Sequence, residues 1–124
     1  MFNVELSVSG HSGDTVVALC GELDLADAPA VASCMIAAVA AFGPSIIVDL
    51  AGLEFIDCCG LGVLVRLLKW TRESGGDMYL VGPRPRVRRV LEMAGLIGVF
   101  SVYPSVEQAV TRARVARPLS AAAS

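Results

Sequence analysis

The sequence is poor in residues that support acid–base catalysis. Its only histidine, His11, lies among turn-forming residues ahead of a predicted strand. A catalytic triad needs a nucleophile, a base and a third group that holds the base, and the sequence offers no such set. Gly60 and Gly62 do not match the longer glycine motifs that bind dinucleotides or phosphates. These absences predict a protein that is not an enzyme.

Long apolar runs and a leader are also missing. The longest apolar stretch, residues 28–42, is interrupted by Ser33 and is shorter than the roughly 20 residues that a membrane-spanning helix needs. Residues 1–5 do not combine a basic stretch with an apolar one, so we expect no secretory signal. The sequence therefore predicts a cytoplasmic protein that does not insert into a membrane.

Positive charge is not in excess. The chain has 10 Lys and Arg against 12 Asp and Glu, a net charge of −2, whereas binding to phosphate backbones needs a clustered positive surface. Arg84, Arg86, Arg88 and Arg89 do form a local basic cluster. In an acidic domain, a solvated helix face is its commoner explanation. We therefore expect no direct binding of nucleic acid.

The four cysteines, Cys20, Cys34, Cys58 and Cys59, match no recognised ligand or redox spacing. A Cys-x-x-Cys motif is absent, and adjacent cysteines are poor joint ligands for one tetrahedral ion. Because no secretory signal is expected and thiols stay reduced in the cytoplasm, we expect the four cysteines to be reduced. The sequence predicts neither a metal site nor another cofactor, and Cys34 is expected to be buried as a small hydrophobe.

The alternation of apolar and polar residues predicts elements in the order β-β-α-β-α-β-α-β-α. Strands separated by helices imply parallel pairing, and an opening hairpin makes the sheet mixed. We predict a single α/β domain over residues 1–116, with helices mainly on one side of the sheet and a disordered tail at 117–124. Residues 45–50 read as a central strand and residues 51–56 as a connection with apolar anchors.

Helical periodicity predicts which side chains point inward. On the first helix, which Asp24 or Asp27 caps and Gly43-Pro44 ends, these are Val31, Met35, Val39 and Phe42. On the second and third helices they are Leu61, Leu64, Val65, Leu68, Val87, Val90, Leu91 and Ala94.

Residues 49–62 are the most informative segment. A buried strand leads into Asp57, a candidate N-cap for a helix that begins at Cys58. The start of a helix presents unpaired N–H groups and the positive end of the helix dipole. Glycines at 60 and 62 would let another surface approach the backbone. The alternative is a plain helix N-terminus with small buried residues.

The sequence carries three short motifs, at residues 21–24 (Gly-Glu-Leu-Asp), 49–57 (Asp-Leu-Ala-Gly-Leu-Glu-Phe-Ile-Asp) and 60–64 (Gly-Leu-Gly-Val-Leu). These motifs resemble the STAS domain and, more closely, the stand-alone anti-sigma factor antagonists of bacteria. The resemblance continues through 75–76, 87–91, 93–96 and 106–109, and so covers essentially the whole chain.

The resemblance implies binding to an anti-sigma factor, usually a serine kinase of the histidine-kinase-like ATPase fold, and release of a sigma factor for transcription. It also implies the residues that meet this partner: Glu22, Asp24, Asp57, Cys58, Cys59, Gly60, Leu61 and Gly62. For Glu22 and Asp24, turn formation and helix capping are an equally good explanation.

The sequence departs from the family pattern at its control point. Such antagonists carry a serine after the Asp, and the kinase phosphorylates that serine, which dissociates the complex by adding about −1.5 to −2 charges. Here Cys58 stands at that position and Cys59 at the next hydroxyl position. The ordinary phosphorylation switch is therefore not expected.

Three explanations of the two cysteines stay open. The first is a redox switch at Cys58, Cys59 and Cys20, because a helix N-terminus can activate a thiol. The second is a constitutive antagonist. The third is a STAS subunit of another complex, such as a lipid-transport ABC system. A thiol peroxidase is a weaker rival, since no base is evident beside the thiols.

Overall fold

The computed structural model describes residues 4–11, 14–24, 26–42 and 45–116. Five strands and four helices follow one another in these ranges in the predicted order. They are β1 (Val4–His11), β2 (Asp14–Leu23), α1 (Ala28–Phe42), β3 (Ile46–Ile56), α2 (Cys58–Glu73), β4 (Met78–Val81), α3 (Pro85–Met93), β5 (Ser101–Tyr103) and α4 (Val106–Ala116). The predicted tail at 117–124 and the stop signal at 43–44 lie outside the described residues.

The five strands form one mixed sheet in the order β1-β2-β3-β4-β5. β1 is antiparallel to β2, and every later pair is parallel. Because neighbouring strands also follow one another in the chain, right-handed crossovers bring α1, α2 and α3 to the same face. α4 follows the last strand and packs on the opposite face. The predicted α/β fold with helices mainly on one side is confirmed.

The main core lies between the sheet and the first three helices. Leu19 on β2 and Val48 on β3 are fully buried there, with Met35 of α1, Leu64 of α2 and Leu91 of α3. A smaller core under α4 combines alternate residues of the central strands with small helix residues: Val16, Ile47, Tyr79, Val81, Ala109, Val110 and Ala113. The central strands are therefore buried on both faces, as the β-branched run at 46–48 predicted.

Two side chains predicted to point inward are exposed instead. Phe42 is 67% exposed because it is the last residue of α1, where the packing that covers the preceding turns ends. Ala94 is the C-cap of α3, so the helical periodicity no longer applies to it, and it is exposed. Cys34 is also exposed, because one residue of helix rotation separates it from the buried Met35.

The connection predicted at residues 51–56 is strand. β3 continues to Ile56 and pairs with β2 through Cys20↔Gly52, Glu22↔Phe55 and Leu23↔Ile56. Register shifts between Ala18 and Cys20 and between Gly21 and Glu22 interrupt the ladder, and such irregularities break the alternation that identifies a strand. The extension carries the end of β3 to the start of α2.

In the described ranges, no helix combines the length and apolarity needed to cross a membrane.

Candidate docking site

Asp57 joins the end of the sheet to the start of α2. Its backbone is extended, with φ −102° and ψ −177°. Its Oδ1 accepts a hydrogen bond from the Gly60 N–H at 2.9 Å, and its own N–H donates to the Leu23 carbonyl oxygen at 3.1 Å. The predicted N-cap is confirmed by the side-chain bond. The backbone bond of the same residue connects the start of α2 to Leu23, the last residue of β2.

Gly60 lies where the first turn of α2 crosses the end of β2. A Cβ built on it would lie 2.8 Å from the Leu23 carbonyl oxygen and 2.8 Å from Cγ1 of Ile56. No real side chain fits at those distances without displacing backbone. Gly60 is buried and Leu61 is only 7% exposed. These two residues, predicted to meet a partner, support the surface from beneath instead of forming it.

Two further carboxylates lie at the same end of the sheet. Glu22 is exposed near the end of β2, and Asp24 is half-buried just beyond it. Asp24 Oδ1 accepts from the Ala26 N–H at 3.0 Å, and its carbonyl oxygen accepts from the Ala28 N–H at 2.9 Å. Asp27, 2% exposed, directly precedes α1. Asp24 therefore shapes the turn into α1, whereas Glu22 faces solvent.

Phe55 is a surface residue that the sequence analysis missed. It pairs with Glu22 across the two strands and is 37% exposed, while its neighbour Ile56 is buried in the main core. Interpreted as part of a connection, Phe55 was expected to be a buried anchor. Phe55 faces away from the main core because successive strand residues face opposite sides of the sheet and Ile56 faces that core.

Cys58 and Cys59 occupy the first turn of α2 but differ in surroundings. Cys58 is exposed, and Cys59 is half-buried. The pKa of the Cys59 thiol is raised, first by partial desolvation, then by the negative charge of Asp57 and by interaction with Cys58, including a side-chain hydrogen bond. A raised pKa lowers the thiolate fraction near neutral pH, so Cys59 is less reactive than a cysteine with the ordinary pKa.

Cys20 is not brought to this pair of thiols. It is exposed on β2 and lies opposite Gly52, four residues before Ile56 on β3, or about 13 Å along the strand. A disulfide requires Cα atoms about 4.4–6.8 Å apart, so this register does not place Cys20 for a disulfide with Cys58 or Cys59. All four thiols are free. Among the described residues, no three His, Cys, Asp or Glu side chains converge as metal ligands would.

A family model describing the STAS domain matches residues 5–109 of this chain. The chain belongs to the STAS domain family. Over 114 residues it is 32% identical to the anti-sigma F factor antagonist of Paenibacillus polymyxa, in an alignment that covers 91% of this chain and 97% of that protein.

Solved structures agree with this assignment. An anti-sigma factor antagonist from Mycobacterium paratuberculosis superposes with a TM-score of 0.81 at 32% identity, covering 90% of this STAS domain and 94% of that chain. The anti-sigma factor antagonist SpoIIAA in its unphosphorylated form superposes with a TM-score of 0.76, covering 92% and 100%, and its 24% identity makes this a likeness of fold. The resemblance inferred from the three motifs is confirmed.

Proposed function

We propose that this STAS domain is an anti-sigma factor antagonist, which binds an anti-sigma factor and thereby frees a sigma factor for transcription. The observation that carries the proposal is the 32% identity to the P. polymyxa antagonist along nearly the full length of both chains. An alignment that covers 91% of this chain and 97% of that protein is not confined to a fragment of the fold, and it runs through the candidate docking site.

We infer that the partner binds where the ends of β2 and β3 meet the starts of α1 and α2. This docking surface comprises Glu22, Asp24, Phe55, Asp57, Cys58, Cys59 and Gly62. It combines three carboxylates with one exposed aromatic ring. An aromatic ring among charged groups is a common centre of binding energy in protein interfaces. The surface suits a partner that offers basic side chains around an apolar pocket.

The proposed partner is an anti-sigma factor of the serine-kinase type, with the histidine-kinase-like ATPase fold. A serine kinase transfers phosphate to a hydroxyl group, and the exposed residue at the head of α2 is Cys58, a thiol. We propose that the complex is not dissolved by phosphorylation at this position. Either the chain binds constitutively, or oxidation of Cys58 puts a polar or charged group there.

Calorimetric titration tests the proposal with the anti-sigma kinases encoded in the same genome. Glu22→Lys should weaken binding about tenfold, because it reverses a charge in the contact. Met93→Ala is the matched control, since Met93 is 81% exposed on α3. Titration after peroxide treatment distinguishes thiol control from constitutive binding. If no anti-sigma kinase binds and the chain instead co-purifies with an ABC transporter ATPase, the proposal is wrong.

A further inference from the structure

α1 is a surface helix without a single charged residue. Its 15 residues are Ala-Pro-Ala-Val-Ala-Ser-Cys-Met-Ile-Ala-Ala-Val-Ala-Ala-Phe. A helix that lies on a domain surface normally carries charged or polar residues on its outer face. Here the outer face includes Ile36, 45% exposed, and Phe42, 67% exposed. Such a face is typical of a surface that another molecule covers.

An apolar groove of about 930 Å³ runs between α1 and α2. Its walls are formed by Ala28, Pro29, Ala32, Ile36, Cys59, Gly62, Val63, Val65, Arg66, Leu67 and Trp70. From residue 59 to residue 70 the wall on α2 measures about 16 Å, or three helical turns. A Cβ built on Gly62 would meet no atom within 4 Å, so the groove is open above that residue. Its length matches about three turns of a helix laid along α2.

Arg66 is the only charged residue among the described residues that line the groove. Its side chain is exposed. The ion pairs found in the described part of the chain engage Arg72, Arg84 and Arg88, and none involves Arg66. Within the described ranges, the apolar groove thus carries one cation outside these ion pairs, which makes it complementary to an apolar segment that carries a carboxylate.

The charge pattern also discriminates between occupants. A second copy of this chain, docked symmetrically groove to groove, would place the Arg66 of each copy against the groove lining of the other. Among the described residues, that lining contains no carboxylate to balance the cation. A different partner, which supplies its own acidic residue, satisfies both the apolar wall and the cation.

We propose that the groove between α1 and α2 binds an amphipathic helix of the anti-sigma factor. That helix presents apolar residues at i, i+4 and i+7 to the groove and an Asp or Glu to Arg66. The inference rests on the proposed function, and it adds a second contact to the docking surface. The two are continuous, because Cys59 and Gly62 belong to both.

Paired substitutions at groove residues outside the docking surface test the inference. Ile36→Ser and Arg66→Glu should each weaken binding of the purified anti-sigma factor about tenfold, because one removes an apolar contact and the other reverses the charge. Ala37→Ser and Lys69→Glu are the matched controls. Both residues are exposed neighbours on the same helices but lie outside the groove lining. The controls should change affinity less than about threefold.

Trp70 is the chain's single tryptophan and lines the groove, so it reports on occupancy. In a chain labelled with 5-fluorotryptophan, the ¹⁹F resonance should shift when the anti-sigma factor binds. Sedimentation equilibrium of the free chain should show a monomer. A dimer that Ile36→Ser dissociates would mean that a second copy fills the groove and would overturn the inference.

The outcomes separate this inference from the proposed function. If Glu22→Lys weakens binding while Ile36→Ser and Arg66→Glu do not, the function stands and the groove inference is wrong. If no anti-sigma factor binds the unmodified chain, both are wrong. If all three substitutions weaken binding and the Trp70 resonance shifts, both are supported.

Discussion

The carboxylate of Asp57 accepts a hydrogen bond from the backbone N–H of Gly60 at 2.9 Å. Cys58 and Cys59 lie between the two bonded residues, in the first turn of α2. Asp57 is also hydrogen-bonded through its own N–H to Leu23 at the end of β2. The two thiols therefore lie on a helix start that is held at both the sheet and the first turn. This arrangement fixes the part of the proposed docking surface that carries the two thiols.

Loss of the Asp57 cap should cost stability. Asp57→Ala removes the acceptor for the Gly60 N–H, and the free energy of unfolding should fall by about 1 kcal/mol. Asp57→Asn retains a capping oxygen and is the matched control, with a loss of only a few tenths of a kcal/mol. Urea denaturation followed by circular dichroism measures both. Equal losses for the two variants would show that the cap contributes no stability.

The two glycines of α2 should respond oppositely to the same substitution. Gly60→Ala forces a Cβ against the Leu23 carbonyl and the Ile56 side chain, so the free energy of unfolding should fall by about 1–3 kcal/mol. Gly62→Ala meets no atom and should raise it by about 0.5–1 kcal/mol, because alanine is the better helix former. Thermal and urea unfolding of the pair provide the comparison. A destabilised Gly62→Ala variant would contradict the open space above Gly62.

A hydroxyl at position 58 should restore the phosphorylation site. Incubation of Cys58→Ser with the cognate anti-sigma kinase and ATP should add one phosphate at position 58, detected by mass spectrometry. Cys59→Ser is the control and should stay unmodified, because the resemblance assigns phosphate transfer to the first of the two positions. An unmodified Cys58→Ser variant would mean that the kinase no longer recognises this surface.

Alkylation of Cys59 should shift to lower pH when its acidic neighbour is neutralised. Partial desolvation and then the charge of Asp57 raise the pKa of this thiol, so in the native protein it reacts with iodoacetamide only at a higher pH than an ordinary cysteine. Asp57→Asn removes the charge, retains the cap and should lower that pH. Peptide mass spectrometry across a pH series follows Cys59. The same comparison in urea should show a smaller difference, because in the unfolded chain solvent surrounds both groups and weakens their interaction.

Titration of Cys59 should also make the fold less stable in alkali. Its folded pKa lies above the unfolded value, so above the unfolded pKa the unfolded chain releases this proton while the folded chain retains it. The unfolded state then binds fewer protons, and stability falls as pH rises. Urea midpoints measured upward from pH 8 should decrease less steeply for Cys59→Ser than for the parent.

Much of the fold follows from local patterns in the sequence. The β-branched run at 46–48 marks a strand buried on both faces, and the Asp57 cap marks the start of α2 because a short acidic side chain suits that position. The sequential strand order then determines where α1, α2 and α3 lie, since right-handed crossovers leave one choice of face.

The errors occur where tertiary pairing overrides local signals. The end of β3 escaped recognition because Ala51 and Gly52 are weak strand formers and the facing strand is irregular at Cys20. That error hid the exposure of Phe55. The groove beside Arg66 was invisible for a different reason: it depends on how closely α1 packs against α2, which no single helix encodes. The open space above Gly62 and the crowding around Gly60 likewise depend on what faces each glycine.

A transcription assay tests the proposed function most directly. The mixture contains core RNA polymerase, the sigma factor, the cognate anti-sigma kinase, ATP and this chain. The chain should restore sigma-dependent transcript to the level seen without the anti-sigma factor, and the level should persist through prolonged incubation with ATP. Transcription that stays repressed at saturating amounts of the chain would contradict the proposed function, and transcription that is restored and then lost with ATP would contradict control without phosphorylation.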